Sequence, residues 1–180
     1  MPHLNVEIKA SCFDPSAIRT ILHAKNARFV GLDHQTDTYF LVPNGRLKLR
    51  EGNIENNLIH YFRDSQAGPK KSEVSLYSTN PDPALKETLS RALGIKVVVD
   101  KQREIYFIEN VKFHLDTVEG LGSFVEIEAI DTDGSLGEAK LEEQCSYYLN
   151  LFGILQEALI SDSYSDMLGR MYPPDQPHIA

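Results

Sequence analysis

This chain of 180 residues has only two cysteines, no long apolar run and no excess of basic residues. The two cysteines, Cys12 and Cys145, lie far apart and lack the spacing of metal ligands, which favours small core residues in a reducing cytoplasm over a disulfide scaffold. No segment approaches the roughly 18 consecutive apolar residues of a membrane span. The N-terminus also lacks a basic region followed by an apolar run. We therefore expect a cytoplasmic protein that has no membrane partner.

Acidic residues outnumber basic ones by 26 to 18, and the formal net charge is -8. Binding along a nucleic-acid backbone requires a clustered positive excess. We therefore expect no nucleic-acid partner, and any anion site has to be local and enclosed. The hydrophobic content of 42% predicts a globular chain with a sizeable core. We expect one domain over residues 1–171 and a loose C-terminal tail over residues 172–180.

Alternation of apolar and polar residues predicts about eight strands, and the connections between them are mostly short. The predicted strands cover residues 4–10, 35–42, 46–50, 58–63, 73–78, 96–108, 111–118 and 123–130. A loop is predicted over 64–71, with Gly68 and Pro69 at its centre. Strands joined largely by hairpins favour an antiparallel sheet that closes into a barrel, with helices packed outside. The expected fold class is therefore α+β.

Three helices are predicted from their start signals. Asp14 caps the first helix, in which Pro15 takes the first position. Asn80-Pro81 opens the second, which Gly94 ends. The third begins after Asp133-Gly134, where Ser135 and Glu138 have the spacing of a capping box.

Charged residues recur on one face of the predicted strands. In the last strand Glu126 and Glu128 share one side, because side chains of a strand alternate between faces, and apolar residues occupy the other side. If the apolar faces lie under the helices, the charged faces form a lumen, where each unpaired ion would cost several kcal/mol. We therefore expect water, a polyanion at the basic part and a hard divalent cation at the acidic part. The side chains predicted to point into the lumen are Glu7, Lys9, Lys48, Arg50, Arg63, Lys101, Arg103, Asp116, Glu126 and Glu128.

Each charged group taken alone has a simpler explanation. Glu7 with Lys9 fits a surface ion pair worth ~0 to 1 kcal/mol, and the two late glutamates fit a solvated strand edge. Their common register with the basic strands favours the lumen instead. His60 and His114 could act as general bases, but we predict that each is a polar residue at a sheet surface.

Five stretches carry a likeness to a known family: Val6–Lys9, Leu49–Glu51, Lys101–Phe107, Gly120–Glu128 and Ser163–Leu168. In this order they resemble the CYTH superfamily, the triphosphate tunnel metalloenzymes, and most closely its class IV adenylate cyclase branch. The resemblance covers nearly the whole chain. It implies an eight-stranded antiparallel tunnel in which cations bind a triphosphate and acidic residues hold Mg²⁺ or Mn²⁺. It also implies a homodimer, because members of the family often pair.

The resemblance implies a role for individual residues. Glu7, Lys9, Asp116 and Glu126 match the family's catalytic positions, whereas Lys48 and Glu128 are added from strand parity. Arg63 stands where a lysine is common, which keeps the charge but changes a point donor to a fork. The expected triphosphate-binding residues are Lys9, Lys48, Arg50, Arg63, Lys101 and Arg103. The expected metal ligands are Glu7, Asp116, Glu126 and Glu128.

Asn5 departs from the family pattern, in which the N-terminal signature usually begins with glutamate. An amide supplies an oxygen but no charge, so the number of metal ions, one or two, stays open. Glu128, on the same face as Glu126, could compensate.

Three functions follow from these expectations. The first is cyclisation of ATP, in which the ribose 3′-hydroxyl attacks the α-phosphorus while cations of the lining hold the departing pyrophosphate. The second is hydrolysis of inorganic triphosphate, thiamine triphosphate or nucleotides, in which water attacks a terminal phosphorus. The third is a non-catalytic polyphosphate-binding or nucleotide-binding module, which the altered signature at Asn5 makes plausible. The sequence does not identify the organic part of the substrate.

Overall fold

Eight antiparallel strands close into a barrel in the computed structural model, which describes residues 3–63 and 69–171. The strands are β1 (His3–Ser11), β2 (Arg28–Phe40), β3 (Arg46–Gly52), β4 (Asn57–Arg63), β5 (Lys70–Ser78), β6 (Ile95–Ile108), β7 (Val111–Val118) and β8 (Gly122–Asp131). Around the barrel they follow the order β1-β5-β4-β3-β2-β6-β7-β8, and β8 pairs with β1. The predicted closed barrel is confirmed.

The helices are α1 (Pro15–Ala24), α2 (Pro83–Leu93), α3 (Glu138–Leu151) and α4 (Tyr164–Met171), with a short 3-10 turn at Gln156–Ala158. Among the helices that the structure describes, none is long and apolar enough to cross a membrane. Helix α1 begins as predicted, because the Asp14 side chain accepts a hydrogen bond from the Ser16 N–H at 3.0 Å. The fourth helix was not predicted. It has only eight residues, of which Tyr164, Ser165 and Leu168 are buried.

Two helices begin later than their patterns indicate. Asp82, rather than the Asn80-Pro81 pair, caps α2 by accepting from the Ala84 N–H at 2.9 Å. The predicted capping box of α3 is wrong, because the helix starts at Glu138 and has no side-chain cap. The Asp131 carboxylate accepts hydrogen bonds from the N–H groups of Gly134, Leu136 and Gly137. These bonds hold the segment before α3 in a turn.

Two strands begin several residues before their predicted starts. β2 begins at Arg28 and pairs with β6 through a register shift between Phe29 and Gly31, which interrupts the alternation. β5 begins at Lys70, within the predicted loop. The rest of that loop (64–68), the Arg63 side chain and the predicted tail (172–180) lie outside the described residues.

The outer faces of β1, β6, β7 and β8 form the main hydrophobic core under α1 and α3. Each fully buried Val, Leu or Ile side chain contributes about 1.5–3 kcal/mol. Because alternate residues of a strand point to opposite faces, burial of these apolar residues turns the charged residues between them toward the lumen. The core side chains on the strands include Val6, Ile8, Ala10, Tyr106, Phe113, Leu115, Val125, Ile127 and Ala129.

A second apolar cluster covers one end of the lumen. Tyr164 and Leu168 of α4 pack against inward-facing side chains of the barrel, among them Tyr39, Val99 and Phe124. The chain that leads into α4 is tied to β1, since the Ile160 N–H donates to the Lys9 carbonyl at 2.9 Å.

Candidate active site

The barrel encloses a cavity of about 180 Å³ that is lined by side chains from all eight strands. The structure places eight of the ten predicted lumen residues on its wall. These are Glu7, Lys9, Lys48, Arg50, Lys101, Arg103, Glu126 and Glu128. Asp116 lies behind the wall, 1% exposed. The side chain of the tenth residue, Arg63, lies outside the described part of the chain.

A cluster of cations surrounds Asp37, which the sequence analysis did not identify. The Asp37 carboxylate accepts hydrogen bonds from Lys48 at 2.9 Å, from Arg50 at 2.8 and 3.0 Å, and from Lys101 at 2.7 Å. Burial alone would raise the pKa of Asp37, but the three cations outweigh this effect and hold the pKa well below its ordinary value. Lys48, Arg50 and Lys101, here called the cation cluster, all contact this one carboxylate. The cluster therefore has an excess of positive charge, which suits it to binding an anion.

Burial and the excess of positive charge both lower the pKa of Lys101. Burial, together with the neighbouring Arg50, Arg103 and Lys48 charges, lowers the pKa of Lys101 to about 7, although Asp37 opposes them. Lys101 therefore loses its proton more easily than an ordinary lysine. An anion held against the cluster would favour its charged form.

A turn between β3 and β4 adds a second carboxylate to this region. Asp33 accepts hydrogen bonds from the N–H groups of Ile54 and Glu55 at 2.8 and 2.9 Å, which directs the Glu55 side chain toward the cavity. There Glu55 accepts from Arg50 at 3.0 Å and forms an ion pair with Lys112 of β7. Burial would raise the pKa of Glu55, but Lys112 and Arg50 lower it well below its ordinary value. Glu55 thus spans from β3 to β7.

Glu126 and Asp116 form an acidic pair around Arg103. Arg103 donates to Asp116 at 2.7 and 2.5 Å and to Glu126 at 2.7 Å, and Lys9 lies 3.0 Å from Glu126. Burial would raise the pKa of Glu126, but Arg103 and Lys9 hold it well below its ordinary value. Tyr164 of α4 contacts one member of each ion pair. Its O–H donates to Asp116, the partner of Arg103, at 2.7 Å, and its ring lies 3.7 Å from Nζ of Lys9, the partner of Glu126.

His114 lies in the lumen, so its predicted position at a sheet surface is wrong. Its side chain is 3% exposed, and Nδ1 is 3.0 Å from Glu126. Burial lowers the pKa of His114 to about 3, and the Arg103 charge acts in the same direction. The imidazole is therefore neutral at pH 7. The other predicted surface histidine, His60, contacts the Asn44 carbonyl at 3.0 Å on the outer side of β4.

Asn5, Glu7 and Glu128 form a second acidic group, here called the acidic cluster. Glu7 and Glu128 are direct cross-strand neighbours, and Asn5 Nδ2 donates to Glu128. Burial raises the pKa of Glu128, and the Glu7, Glu126 and Glu55 charges raise it further, although Lys112 opposes them. A carboxylate in this situation gains from a nearby cation.

The donors of the acidic cluster fit a hard divalent cation. Mg²⁺ and Mn²⁺ prefer oxygen ligands, and the buried Asn5 Oδ1 has no hydrogen-bond partner among the described residues. Within the same part of the chain, no three His, Cys, Asp or Glu side chains are already arranged as a metal site. A cation would therefore be held by Glu7, Glu128 and the amide oxygen together with water or ligand oxygens.

The sequence analysis missed three charged residues of the cavity wall, Asp37, Lys112 and Glu55. Asp37 shares one face of β2 with Asp33 and Gln35, but the opposite face is polar too, so alternation did not distinguish the inward side. Lys112 has the parity of Asp116. Glu55 lies in a turn, where no periodicity identifies a facing side.

Comparison with known proteins identifies the family of this chain. The model of the CYTH domain family matches residues 3–161. The chain therefore belongs to the CYTH domain family, as the sequence resemblance implied. A Methanocaldococcus jannaschii protein named "Putative adenylate cyclase" is 27% identical, and the match covers 92% of this chain and 99% of that protein.

Solved structures show the same fold. The PH1012 protein of Pyrococcus horikoshii superposes with a TM-score of 0.78 at 21% identity, over 90% of this chain and 98% of that one. A Hippeastrum protein superposes with a TM-score of 0.57 at 18% identity, over 92% of this chain and 94% of that one. That protein is described as a "putative adenylyl cyclase" with a dominant triphosphatase activity.

Proposed function

We propose that this protein is a divalent-metal-dependent enzyme that converts ATP to cyclic AMP and pyrophosphate inside the barrel. One observation carries the proposal: a cation cluster with a positive excess and an acidic cluster with a repelled carboxylate line the same cavity. A triphosphate with its metal ion satisfies both. The name of the Methanocaldococcus relative supports cyclisation, and triphosphate tunnel proteins of the CYTH family generally depend on divalent metals.

The cations are proposed to bind the triphosphate. Lys48, Arg50 and Lys101 exchange their contacts with Asp37 for phosphate oxygens and stabilise the negative charge that develops on the departing pyrophosphate. Lys9 and Arg103 lie at the acidic end of the cavity, where they neutralise phosphate oxygens nearest the metal. Arg63 remains part of the proposed set through its position at the end of β4.

The acidic residues are proposed to act at the metal. A bound Mg²⁺ or Mn²⁺ supplies charge neutralisation at the reacting phosphoryl oxygens. Glu7 and Glu128 offer oxygen donors with the Asn5 amide. Glu126 and Asp116 are the other two carboxylates of the proposed ligand set, and they would reach the metal only when Arg103 releases them for a phosphate oxygen. In the structure Asp116 holds Arg103 and is itself held by Tyr164, which orients the guanidinium toward the cavity.

The test is product identification with pure protein, Mg²⁺ or Mn²⁺, and separately ATP, inorganic triphosphate and thiamine triphosphate. Cyclic AMP and pyrophosphate in equal amounts are expected from ATP. Orthophosphate from any of the three would identify hydrolysis in the same tunnel instead. Binding of all three without turnover would overturn an enzymatic role and select a binding module.

A pair of variants ties the activity to the cavity. Lys101→Met removes a buried cation and should lower turnover by at least about 100-fold, as loss of a transition-state donor does. Lys140→Met changes a lysine that is 50% exposed on α3 and should retain wild-type turnover. Equal rates in the two variants would place the reaction elsewhere.

A further inference from the structure

The lumen faces of β4 and β5 differ from the rest of the cavity wall. Ile59 pairs with Leu76 and Tyr61 pairs with Val74 across these strands. All four side chains line the cavity. They form an apolar wall, defined here as Ile59, Tyr61, Val74 and Leu76, in a lumen whose other walls carry mainly charged groups.

Burial separates two parts of this apolar wall. Ile59 and Tyr61 are 8% exposed and pack with the cluster under α4, as Val74 does in part. Leu76 is 49% exposed, although it lines the cavity. An exposed leucine does not contribute the favourable free energy of apolar burial, because that free energy comes from removing apolar surface from water. The packing of the fold accounts for the deep part of the wall but not for Leu76.

The apolar wall borders the cation cluster directly. On the neighbouring strand, Lys48 is the cross-strand partner of Ile59, and Arg50 is the partner of Asn57. Both cations contact Asp37 within the cluster. A phosphate chain held by Lys48 and Arg50 would therefore carry any attached organic group against Ile59 and Leu76.

We propose that the apolar wall binds the planar organic group of an organic triphosphate, such as a nucleobase, and that it makes the protein select organic over inorganic triphosphates. The proposal rests on the proposed function for its phosphate end. Tyr61 supplies an aromatic ring, and Ile59 and Leu76 supply flat apolar surface. Stacking and apolar contact tolerate different bases. The wall therefore selects a class of substrate and not one base.

Binding of two inert probes tests this proposal. The organic probe is an ATP analogue that lacks the 3′-hydroxyl and has a β,γ-imido bridge, so that it can neither cyclise nor lose its terminal phosphate. The inorganic probe is imidotriphosphate. Isothermal titration calorimetry with Mg²⁺ gives both dissociation constants for the wild type, for Leu76→Ala and for Tyr77→Ala. Tyr77 is the adjacent residue of β5, 71% exposed on the outer face, and serves as the matched control.

Leu76→Ala should weaken binding of the ATP analogue by about three- to tenfold, the range expected for losing part of an apolar contact. Imidotriphosphate binding should stay unchanged in the same variant, and Tyr77→Ala should affect neither probe. Equal weakening of both probes, or no effect on the ATP analogue, would overturn the apolar wall as an organic-group site. Because Leu76 is half exposed, this substitution spares the core.

A further variant separates failure of this inference from failure of the proposed function. Lys48→Met should weaken both probes, because both carry the triphosphate. If neither probe binds the wild type, or if Lys48→Met changes neither affinity, the phosphate site itself is wrong. If Lys48→Met weakens both and Leu76→Ala weakens neither, only the apolar wall is wrong.

Discussion

The cation cluster around Asp37 and the acidic cluster around Glu128 lie in one cavity, yet the protein neutralises them to different degrees. Asp37 receives three cations, and its pKa falls well below its ordinary value. Glu128 has other carboxylates as neighbours, and its pKa rises. The cation cluster carries more positive than negative charge, and at Glu128 burial and the neighbouring carboxylates outweigh the opposing charge of Lys112. A triphosphate with its bound metal ion would neutralise both clusters. A ligand that binds only one of them would not.

The difference arises from the neighbouring charges, because burial acts to raise the pKa of both Asp37 and Glu128. Both clusters lie on inward faces of β-strands, and burial opposes the charged form in each. Asp37 faces Arg50 across β2 and β3, whereas Glu128 lies between two cross-strand neighbours of opposite charge, Glu7 on β1 and Lys112 on β7. Like charges directly opposite each other destabilise a sheet. Such a pair persists more easily where a ligand supplies the compensating charge.

Arg103 is the shared partner of Asp116 and Glu126, and its loss should produce the largest effect. Arg103→Met leaves Asp116 and Glu126 buried without their shared cation. We expect the free energy of unfolding to fall by about 3–5 kcal/mol, as when one partner of a buried ion pair is removed. Urea denaturation at pH 7 measures it.

Arg19 provides the matched control for this substitution. It donates to Glu104 through two hydrogen bonds of 3.0 and 2.6 Å on the outer side of the barrel, where its side chain is 38% exposed. Arg19→Met should cost only about 0–1 kcal/mol. Similar losses in both variants would show that the lumen pair gains nothing from its enclosure.

Glu128→Gln tests the acidic cluster from two sides. The neutral amide removes repulsion from Glu7 and Glu126, so the melting temperature without metal should rise. The same change removes a proposed metal ligand, so the Mg²⁺ concentration for half-maximal activity should rise by about tenfold or more. Thermal unfolding and metal titration measure the two effects, and Glu142→Gln on the exposed face of α3 should change neither. A lower melting temperature for Glu128→Gln would contradict the repulsion.

Strand periodicity predicted much of this design, and its failures have physical causes. Glu126 and Glu128 alternate with apolar residues, so their inward side could be assigned. On β2 both faces are polar, with His34, Thr36 and Thr38 opposite Asp37, so alternation offered no contrast. His114 lies between the apolar Phe113 and Leu115, and parity alone would have placed it inside. Contacts such as Glu55 with Lys112 depend on closure of the barrel, which no local pattern contains.

Lys101 gives the cation cluster a pH dependence with a definite sign. Its pKa of about 7 lies below the ordinary 10.5, so between these values the ligand-free protein holds Lys101 largely neutral. A bound polyanion favours the charged form and raises the pKa. Binding then takes up a proton, and affinity for imidotriphosphate falls as pH rises above 7.

A matched variant isolates this lysine from titration of the ligand. Lys101→Arg stays charged throughout the range. If the ligand raises the pKa of Lys101 by about one to two units, we expect the wild type to lose about five- to 25-fold more affinity than Lys101→Arg from pH 7 to pH 9. Calorimetry in buffers of different ionisation enthalpy also reports the proton uptake. Parallel pH profiles for the two proteins would contradict a titrating Lys101.

Glu55 should contribute the smallest effect, because its side chain is 20% exposed near the open part of the cavity. It contacts Arg50 and Lys112, so an incoming phosphate has to displace it from both cations. Glu55→Gln should therefore strengthen imidotriphosphate binding by about two- to fivefold, a range typical of a partly screened ion pair. Glu51→Gln removes the same charge from the outer face of β3, where Glu51 pairs with Lys86 at 2.9 Å, and should leave the affinity unchanged. Weaker binding in Glu55→Gln would mean that the carboxylate positions Arg50 for the ligand and does not compete with it.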